Sequence, residues 1–151
     1  LELADLVVLA GSNAAWCHPV LYQRLQAVRE ARGMKIVSLD PRRTATAEGC
    51  DLHLPLRAGS DVALWNGLLC WLSDYGGLDW RFIGDHTEGF AAALAAARLS
   101  AGSVSQVAEA TGLEPNAIEQ FYHLWAQTPR RTWAFRTRSA TACSASGRRR
   151  T

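Results

Sequence analysis

The sequence lacks any apolar run that approaches the roughly 20 residues needed to cross a membrane. It also lacks a secretory signal peptide, because Leu1–Asp5 has neither a basic stretch nor an apolar core. No initiator methionine stands at position 1, which we interpret as the sign of a fragment. These absences predict a cytoplasmic chain that is one domain or a part of a larger protein.

Cysteine is scarce and scattered, and no two cysteines form a CxxC pair. The four cysteines are Cys17, Cys50, Cys70 and Cys143. This spacing argues against a zinc site or an iron–sulfur cluster encoded in the chain, and it favours reduced thiols in the cytosol. The histidines show no metal-ligand spacing and no serine lies in a GxSxG elbow, so the sequence shows no catalytic set.

Acidic residues are absent after Glu119, and the segment after Pro129 is rich in arginine. Seven arginines lie there: Arg130, Arg131, Arg136, Arg138, Arg148, Arg149 and Arg150. Removing these seven charges would lower the formal net charge from +2 to −5, so the rest of the chain gives no reason to expect nucleic-acid binding. We expect residues 129–151 to lie outside the fold, disordered or read in a shifted frame, with one candidate strand at Thr132–Phe135. The alternative is a basic tail that grips nucleic acid.

The chain is organised around its opening stretch. The apolar run Leu6–Ala10 has the continuous hydrophobicity of a strand buried on both faces. Gly11-Ser12-Asn13 follows as a turn that leaves amides exposed, and Pro19 stands at the start of a helical pattern. A strand, a glycine turn and a helix can direct amides at an anionic ligand, but the same order is equally typical of a plain connection.

Apolar residues that recur at strand or helix spacing predict the other elements of the chain. The predicted strands are Leu6–Ala10, Lys35–Leu39 and Asp51–Leu56, and the first two long helices are Pro19–Arg32 and Val62–Tyr75. Pro55 places the third strand near a sheet edge, and Ser60 or Asp61 is expected to cap the second helix. From Asp79 onward the pattern is helical, and its aromatic residues are expected in the core.

The fold class is therefore α/β: a Rossmann-like three-layer domain with a short parallel sheet, followed by a helical subregion. We expect a cofactor-binding core at residues 1–78, a helical subregion of the same domain at 79–128, and the basic tail at 129–151.

Three loops follow the predicted strands, and ligands bind at that edge of an open α/β sheet. The loops are Gly11-Ser12-Asn13, Asp40-Pro41-Arg42 and Gly59-Ser60-Asp61. Gly11 allows the backbone to approach a diphosphate, Asp40 stands where a ribose-binding carboxylate is usual, and Arg42 can meet phosphate. Asp61 offers two acceptor oxygens to the N1–H and N2–H edge of guanine. Each loop alone also fits a turn, a strand end or a helix cap, but the three together favour a nucleotide site. The absence of GxGxxG argues against an ordinary NAD-binding domain.

Cys17 and His18 precede the helix at Pro19. We interpret His18 as a contact at the helix start rather than a catalyst. Cys17 is expected to be a small buried residue, with a metal thiolate as the alternative.

These motifs resemble those of a known family. They are, in order, Gly11-Ser12-Asn13, Trp16-Cys17-His18-Pro19, Ser38-Leu39-Asp40-Pro41-Arg42-Arg43-Thr44, Gly59-Ser60-Asp61 and Asn66-Gly67. The family is the molybdopterin-guanine-dinucleotide oxidoreductases, also called the dimethyl-sulfoxide-reductase family, with nitrate reductases and formate dehydrogenases among its members. The resemblance covers about Leu1 to Thr128. The Trp-Cys-His-Pro variant is most similar to catalytic subunits of assimilatory nitrate reductases.

The resemblance implies that three segments hold one guanosine-diphosphate arm of bis-molybdopterin guanine dinucleotide, which carries molybdenum. The implied cofactor-binding residues are Ala10, Gly11, Ser12, Asn13, Cys17, His18, Ser38, Leu39, Asp40, Pro41, Arg42, Gly59, Ser60 and Asp61. No residue of this chain is implied to be catalytic or to ligate metal. Family members are several times longer and carry an N-terminal iron–sulfur cysteine cluster and an upstream molybdenum ligand, neither of which this sequence contains.

The implied parent reaction is the reduction of nitrate to nitrite, and the chain alone is expected to be inactive. The implied partners are the missing domains of the parent enzyme and an electron-donor protein or domain, with no nucleic acid and no membrane. Two alternatives stay open: a piece of a formate dehydrogenase or related molybdoenzyme, and a non-enzymatic nucleotide-binding module of Rossmann type.

Overall fold

The computed structural model describes residues 2–129 and 131–134, and contacts divide the chain into two compact units. The first unit is Leu1–Gly59 with Arg130–Thr151, and the second is Ser60–Pro129. The division thus falls before the helix Asp61–Asp74, whereas the sequence places a boundary at residue 78. That helix groups with the later helices because it packs directly against three of them.

The first unit is an α/β fold. In the described residues its elements are β1 (Leu6–Ala10), α1 (Ala14–Cys17), α2 (Pro19–Arg32), β2 (Lys35–Leu39), α3 (Ala45–Glu48), β3 (Leu52–Leu54) and β4 (Arg131–Ala134). Neighbouring strands are parallel and follow the order β3-β2-β1-β4. The predicted α/β class with a short parallel sheet is confirmed. β3 is shorter than the predicted Asp51–Leu56 and ends before Pro55, and it lies at the edge of the sheet, as that proline indicated.

Part of the arginine-rich segment belongs to the sheet, which corrects the expectation that residues 129–151 lie outside the fold. β4 pairs in parallel with β1, with Leu6 opposite Arg131. The first four residues of β1 are buried, and a strand covered on both faces is a central strand with a partner along each edge. β2 pairs with one edge and β4 with the other. The candidate strand Thr132–Phe135 is confirmed with a shift of one residue, and residues 135–151 lie outside the described part.

Helix α2 covers one face of the sheet. Its buried Leu25 packs in a cluster with apolar residues of β1 and β2. The helix begins at Pro19 and is followed by Gly33, whose φ of 70° is left-handed and whose amide donates to the Arg29 carbonyl (2.9 Å). Both ends lie where the sequence predicts them.

A single carboxylate ties α2, β2 and the start of β3 together. Asp51 accepts hydrogen bonds from the Ile36 amide (2.9 Å), from Arg29 Nε (3.1 Å) and from Lys35 Nζ (3.3 Å). Burial would raise the pKa of Asp51, but these donors outweigh burial and hold the pKa below its ordinary value. Asp51 therefore stays ionised at neutral pH and anchors this corner of the unit.

The second unit is helical throughout its regular elements. These are α4 (Asp61–Asp74), α5 (Trp80–His86), α6 (Phe90–Ala101), α7 (Val104–Thr111) and α8 (Pro115–Gln127). The helical character predicted for residues 79–128 is confirmed. Within the described part of the chain, no helix combines the length and apolarity needed to span a membrane.

Aromatic side chains form much of the core of this unit. The buried Tyr122 hydroxyl donates to the Leu64 carbonyl (2.8 Å), which joins α8 to α4. Trp65 packs edge to face on Trp125, with ring centroids 5.3 Å apart. The prediction that the aromatic residues after Asp79 are core residues is confirmed for Phe121 and Tyr122, which are buried. It is wrong for Trp80 and Phe82 of α5, which are 59% and 56% exposed.

Gly67 lies on α4 where α7 and α8 approach it. A Cβ on Gly67 would overlap the Val107 side chain and lie 2.5 Å from the Tyr122 hydroxyl oxygen. We expect Gly67→Ala to lower the free energy of unfolding by about 1–3 kcal/mol, because a packed core does not accept extra atoms. Gly84→Ala on α5 is the matched control, since no atom lies within 4 Å of its added Cβ. Urea unfolding should show the control as neutral or stabilised by up to about 1 kcal/mol, and a Gly67→Ala protein of parental stability would contradict the packing.

Candidate functional site

The strand order places a switch point beside β1. From β1 the chain adds β2 and then β3 on one side, whereas β4 lies on the other side. In open parallel sheets, ligands bind outside the carboxyl ends of the strands at such a reversal. Gly11-Ser12-Asn13 follows β1 directly, and Asp40-Pro41-Arg42 follows the neighbouring β2. The structure therefore brings the first two predicted loops to one edge of the sheet.

The sequence predicts that the turn after β1 leaves its backbone amides exposed, but the structure places the Gly11 amide in a hydrogen bond. Gly11 has a φ of 59°, and its amide donates to the Leu39 carbonyl at the end of β2 (2.8 Å). The Ala15 amide, in the unpredicted short helix α1, donates to the Thr46 hydroxyl (2.9 Å). The prediction of free amides is thus wrong at Gly11, whose amide binds the loop to β2. The Ala15 amide lies after the predicted turn and binds α1 to α3.

Asn13 is held by a residue that the sequence did not single out. Thr46 of α3 is fully buried, and its hydroxyl donates to Asn13 Oδ1 (3.1 Å) while it accepts from the Ala15 amide. Thr44 starts α3 by accepting a hydrogen bond from the Ala47 amide (3.3 Å). The available signal was a pair of threonines directly after the second loop, and a threonine at a helix start is a common cap.

Asp40 is buried, and its carboxylate contacts its own loop. Oδ1 accepts a hydrogen bond from the Arg42 amide (2.9 Å) and lies 3.5 Å from Arg42 Nε, on a side chain that is 75% exposed. The Asp40 carbonyl lies 2.8 Å from His53 Nε2. Because a carbonyl oxygen only accepts, this His53 nitrogen carries the proton and donates. His53, to which the sequence assigned no role, thereby fixes the second loop from β3.

Two buried hydroxyl groups at this edge have no hydrogen-bond partner among the described residues. They are Ser12 Oγ in the first loop and Ser38 Oγ in β2. Ser12 is 1% exposed and Ser38 is fully buried. A buried hydroxyl without a partner costs about 1–3 kcal/mol, so such groups call for a ligand or a water. A ligand with several polar groups, such as a phosphate chain with its sugar, fits this edge.

The third predicted loop is divided between the two units. Gly59 ends the first unit with a φ of 84°, whereas Ser60 and Asp61 begin the second. Ser60 occupies the N-cap position of α4 but makes no capping hydrogen bond with its side chain, so the predicted side-chain cap is wrong for Ser60. Asp61 lies in the first turn of α4, where the helix dipole favours a negative charge.

Cys17 is exposed, which corrects its interpretation as a small buried residue. The reason is local: α1 ends at Cys17, and the chain turns at His18 to begin α2. His18 holds the N-cap position of α2, so its predicted place at the helix start is confirmed. Beside it lies an open pocket of about 380 Å³, lined by His18, Pro19, Val20, Leu21 and Arg24.

The predicted binding residues differ widely in exposure. Ser12, Ser38, Leu39 and Asp40 are buried, Ala10, Asn13, Ser60 and Asp61 are half-buried, and Gly11, Cys17, His18, Pro41, Arg42 and Gly59 are exposed. Residues 2–129 and 131–134 contain no group of three or more histidine, cysteine, aspartate or glutamate side chains placed to hold a metal ion. The edge of the sheet thus offers hydrogen-bonding groups for an organic ligand.

The sequence model of the family described as Molybdopterin oxidoreductase matches residues 1–78, which is more than half of the chain. The chain belongs to this family. Membership implies a molybdenum–pterin cofactor. The unpartnered hydroxyls of Ser12 and Ser38 and the exposed guanidinium of Arg42 can donate hydrogen bonds to the phosphate groups of such a cofactor.

Relatives of this molybdopterin oxidoreductase chain match most of its length. It is 41% identical over 124 residues to a nitrate reductase of Shewanella frigidimarina, which covers 82% of the chain and 13% of that protein. It is 44% identical over 131 residues to a nitrate reductase of Klebsiella oxytoca, covering 86% of the chain and 14% of that protein. An F420-dependent formate dehydrogenase subunit alpha of Methanocaldococcus jannaschii is 38% identical over 90 residues, which is 60% of the chain and 13% of that subunit.

A solved structure shares the fold. The acetylene hydratase from Pelobacter acetylenicus superposes with a TM-score of 0.79 at 27% identity, over 90% of this chain and 19% of that one. The molybdopterin oxidoreductase chain therefore spans less than a fifth of these relatives, and its fold corresponds to one part of them.

Proposed function

We propose that this chain holds one guanosine-diphosphate arm of bis-molybdopterin guanine dinucleotide within a molybdenum oxidoreductase. The observation that carries the proposal is the pair of buried, unpartnered hydroxyls of Ser12 and Ser38 at the carboxyl ends of β1 and β2. The cofactor, when bound, supplies the redox chemistry, and this chain orients its nucleotide part.

Each loop contributes a different kind of contact in this proposal. Gly11 lets the backbone approach the diphosphate, and the exposed guanidinium of Arg42 neutralises phosphate charge. Asp40 uses one carboxylate oxygen within its loop, and a carboxylate retains further acceptor capacity for ribose hydroxyls. Asp61 accepts hydrogen bonds from the N1–H and N2–H groups of guanine. Arg42 and Asp40 are thus the recognition groups that the first unit contributes to this proposal, and Asp61 is the one that the second unit contributes.

The proposed reaction of the whole protein is the reduction of nitrate to nitrite. In support, the two nitrate reductases are 41% and 44% identical to this chain, against 38% for the formate dehydrogenase subunit. Proteins whose names give nitrate reductase, formate dehydrogenase and acetylene hydratase all share this segment. A segment common to such different reactions is better suited to holding a shared cofactor than to selecting a substrate.

Other parts of the longer protein would complete the enzyme. We assign to them the iron–sulfur cluster and the molybdenum ligand, and an electron-donor protein or domain would deliver electrons. The described cysteines Cys17, Cys50 and Cys70 are unpaired, which supports a cytoplasmic setting. The isolated chain should show no nitrate reduction, and measurable turnover by it would contradict this division of roles.

Calorimetric titration of the full chain with GDP and with ADP tests the guanosine pocket. The full chain is needed because β4 belongs to the sheet. Adenine lacks the paired N–H groups that would donate hydrogen bonds to Asp61, so GDP should bind about tenfold more tightly or better. This preference should disappear in Asp61→Ala and survive in Asp85→Ala, which removes the same charge from an exposed position on α5. Equal binding of GDP and ADP by the parent chain, or a preference that survives Asp61→Ala, would contradict the assignment.

A further inference from the structure

The buried hydroxyl of Thr46 stands between two groups of the first loop. It accepts a hydrogen bond from the Ala15 amide (2.9 Å) and lies 3.1 Å from Asn13 Oδ1. A hydroxyl group has one proton to donate, and an amide N–H cannot receive it. The Thr46 proton is therefore donated to the carboxamide oxygen of Asn13. Thr46 acts as an acceptor toward α1 and as a donor toward Asn13.

This contact decides which end of the Asn13 carboxamide is left for a ligand. Oδ1 is used by Thr46, so the Nδ2 group, with its two N–H donors, is the end that a ligand can use. Asn13 is only half-buried, and the adjacent residue, Ser12, carries an unpartnered buried hydroxyl. Two neighbouring side chains at the switch point of the sheet thus offer donors.

We infer that Thr46 is a positioning residue that turns Asn13 into a hydrogen-bond donor toward an acceptor-only group, such as a diphosphate. Without the hydroxyl, the carboxamide is free to rotate by half a turn and present its oxygen to the phosphate, which repels it. The identity of the ligand rests on the proposed function. The orientation of Asn13 does not, because it follows from contacts within the chain.

Three substitutions in the full chain separate positioning from packing. Thr46→Val keeps the shape of the side chain and removes the hydroxyl, whereas Thr46→Ser keeps the hydroxyl. Asn13→Asp still accepts from Thr46 but replaces the two N–H donors with a negative charge. Urea unfolding of each variant reports whether the fold is retained. GDP affinity should fall about tenfold to a hundredfold in Thr46→Val and in Asn13→Asp, and Thr46→Ser should restore it.

The side-chain amide signals of Asn13 in nitrogen-15 NMR spectra give a readout that does not need GDP. We expect Thr46→Val to displace these signals and the Ala15 amide signal, and Thr46→Ser to return them toward their original positions. Unchanged Asn13 signals in Thr46→Val would overturn the inference, with or without GDP binding. If Thr46→Val does not fold, Asn13→Asp decides, and parental GDP affinity in that variant would overturn the inference. Failure of the parent chain to bind GDP would overturn the proposed function instead, and the NMR signals would still decide the orientation.

Discussion

A chain that ends at Pro129 should lose about 4 kcal/mol of stability, because it lacks β4. The estimate takes about 1 kcal/mol for each of the four paired positions between β4 and β1. It omits the apolar surface of β1 that a missing neighbour would expose to water and the backbone entropy spent in ordering β4, and these two terms act in opposite directions. Since whole domains are stable by only about 5–15 kcal/mol, this truncation should leave the first unit close to unfolded.

The matched control is a chain that ends at Ala134, which retains β4 and removes only the residues that follow it. From its arginine-rich, aperiodic sequence we expect that segment to add little stability. Urea unfolding followed by circular dichroism should therefore give the control a midpoint close to that of the full chain. A chain ending at Pro129 that unfolds at the same urea concentration as the control would show that β4 does not support the sheet.

Replacing Ser12 or Ser38 with alanine should make the free chain more stable and the nucleotide complex weaker. Each hydroxyl is buried without a partner among the described residues, so its removal relieves a desolvation cost of about 1–3 kcal/mol. The same removal deletes a donor to the ligand, and GDP affinity should fall by about tenfold. A variant that is more stable but binds GDP more weakly indicates that the hydroxyl serves binding rather than folding.

Thr111 provides the comparison, because its buried hydroxyl is fully used. It donates to the Val107 carbonyl (2.6 Å) and accepts from the Leu113 amide (3.3 Å). Thr111→Val should therefore destabilise the chain by about 1–3 kcal/mol, since it leaves the Leu113 amide unpaired. Thermal unfolding and GDP titration of the serine and threonine variants check the contrast. Serine variants that are less stable than the parent and bind GDP as well as it does would contradict the role given to these hydroxyls.

The sequence predicts those parts of the fold that depend on local pattern. The first strand, the helix that starts at Pro19 and the glycine at its end carry signals within a few residues of one another, and all three are confirmed. β4 is different because its partner, β1, lies at the other end of the chain. The arginine-rich composition around it outweighed a four-residue strand signal. Helix α1 was missed because four residues are too few to show a helical period.

The candidate site shows the same division between local and long-range information. The sequence placed the Gly11 and Asp40 loops at one edge, since both follow strands of a parallel sheet, and the structure has them there. The roles of Thr46 and His53 could not be predicted, because each depends on a hydrogen bond to a residue distant in sequence. The unpartnered state of Ser12 and Ser38 is likewise a property of the folded chain.

The most direct test of the account is a crystal structure of the full chain grown with GDP. The account predicts the diphosphate at the carboxyl ends of β1 and β2, within hydrogen-bond distance of Ser12 Oγ and Asn13 Nδ2, with Arg42 turned toward it. GDP bound elsewhere, for example in the pocket beside His18, would contradict it. So would a structure in which ordered water satisfies both serine hydroxyls while GDP occupies another surface.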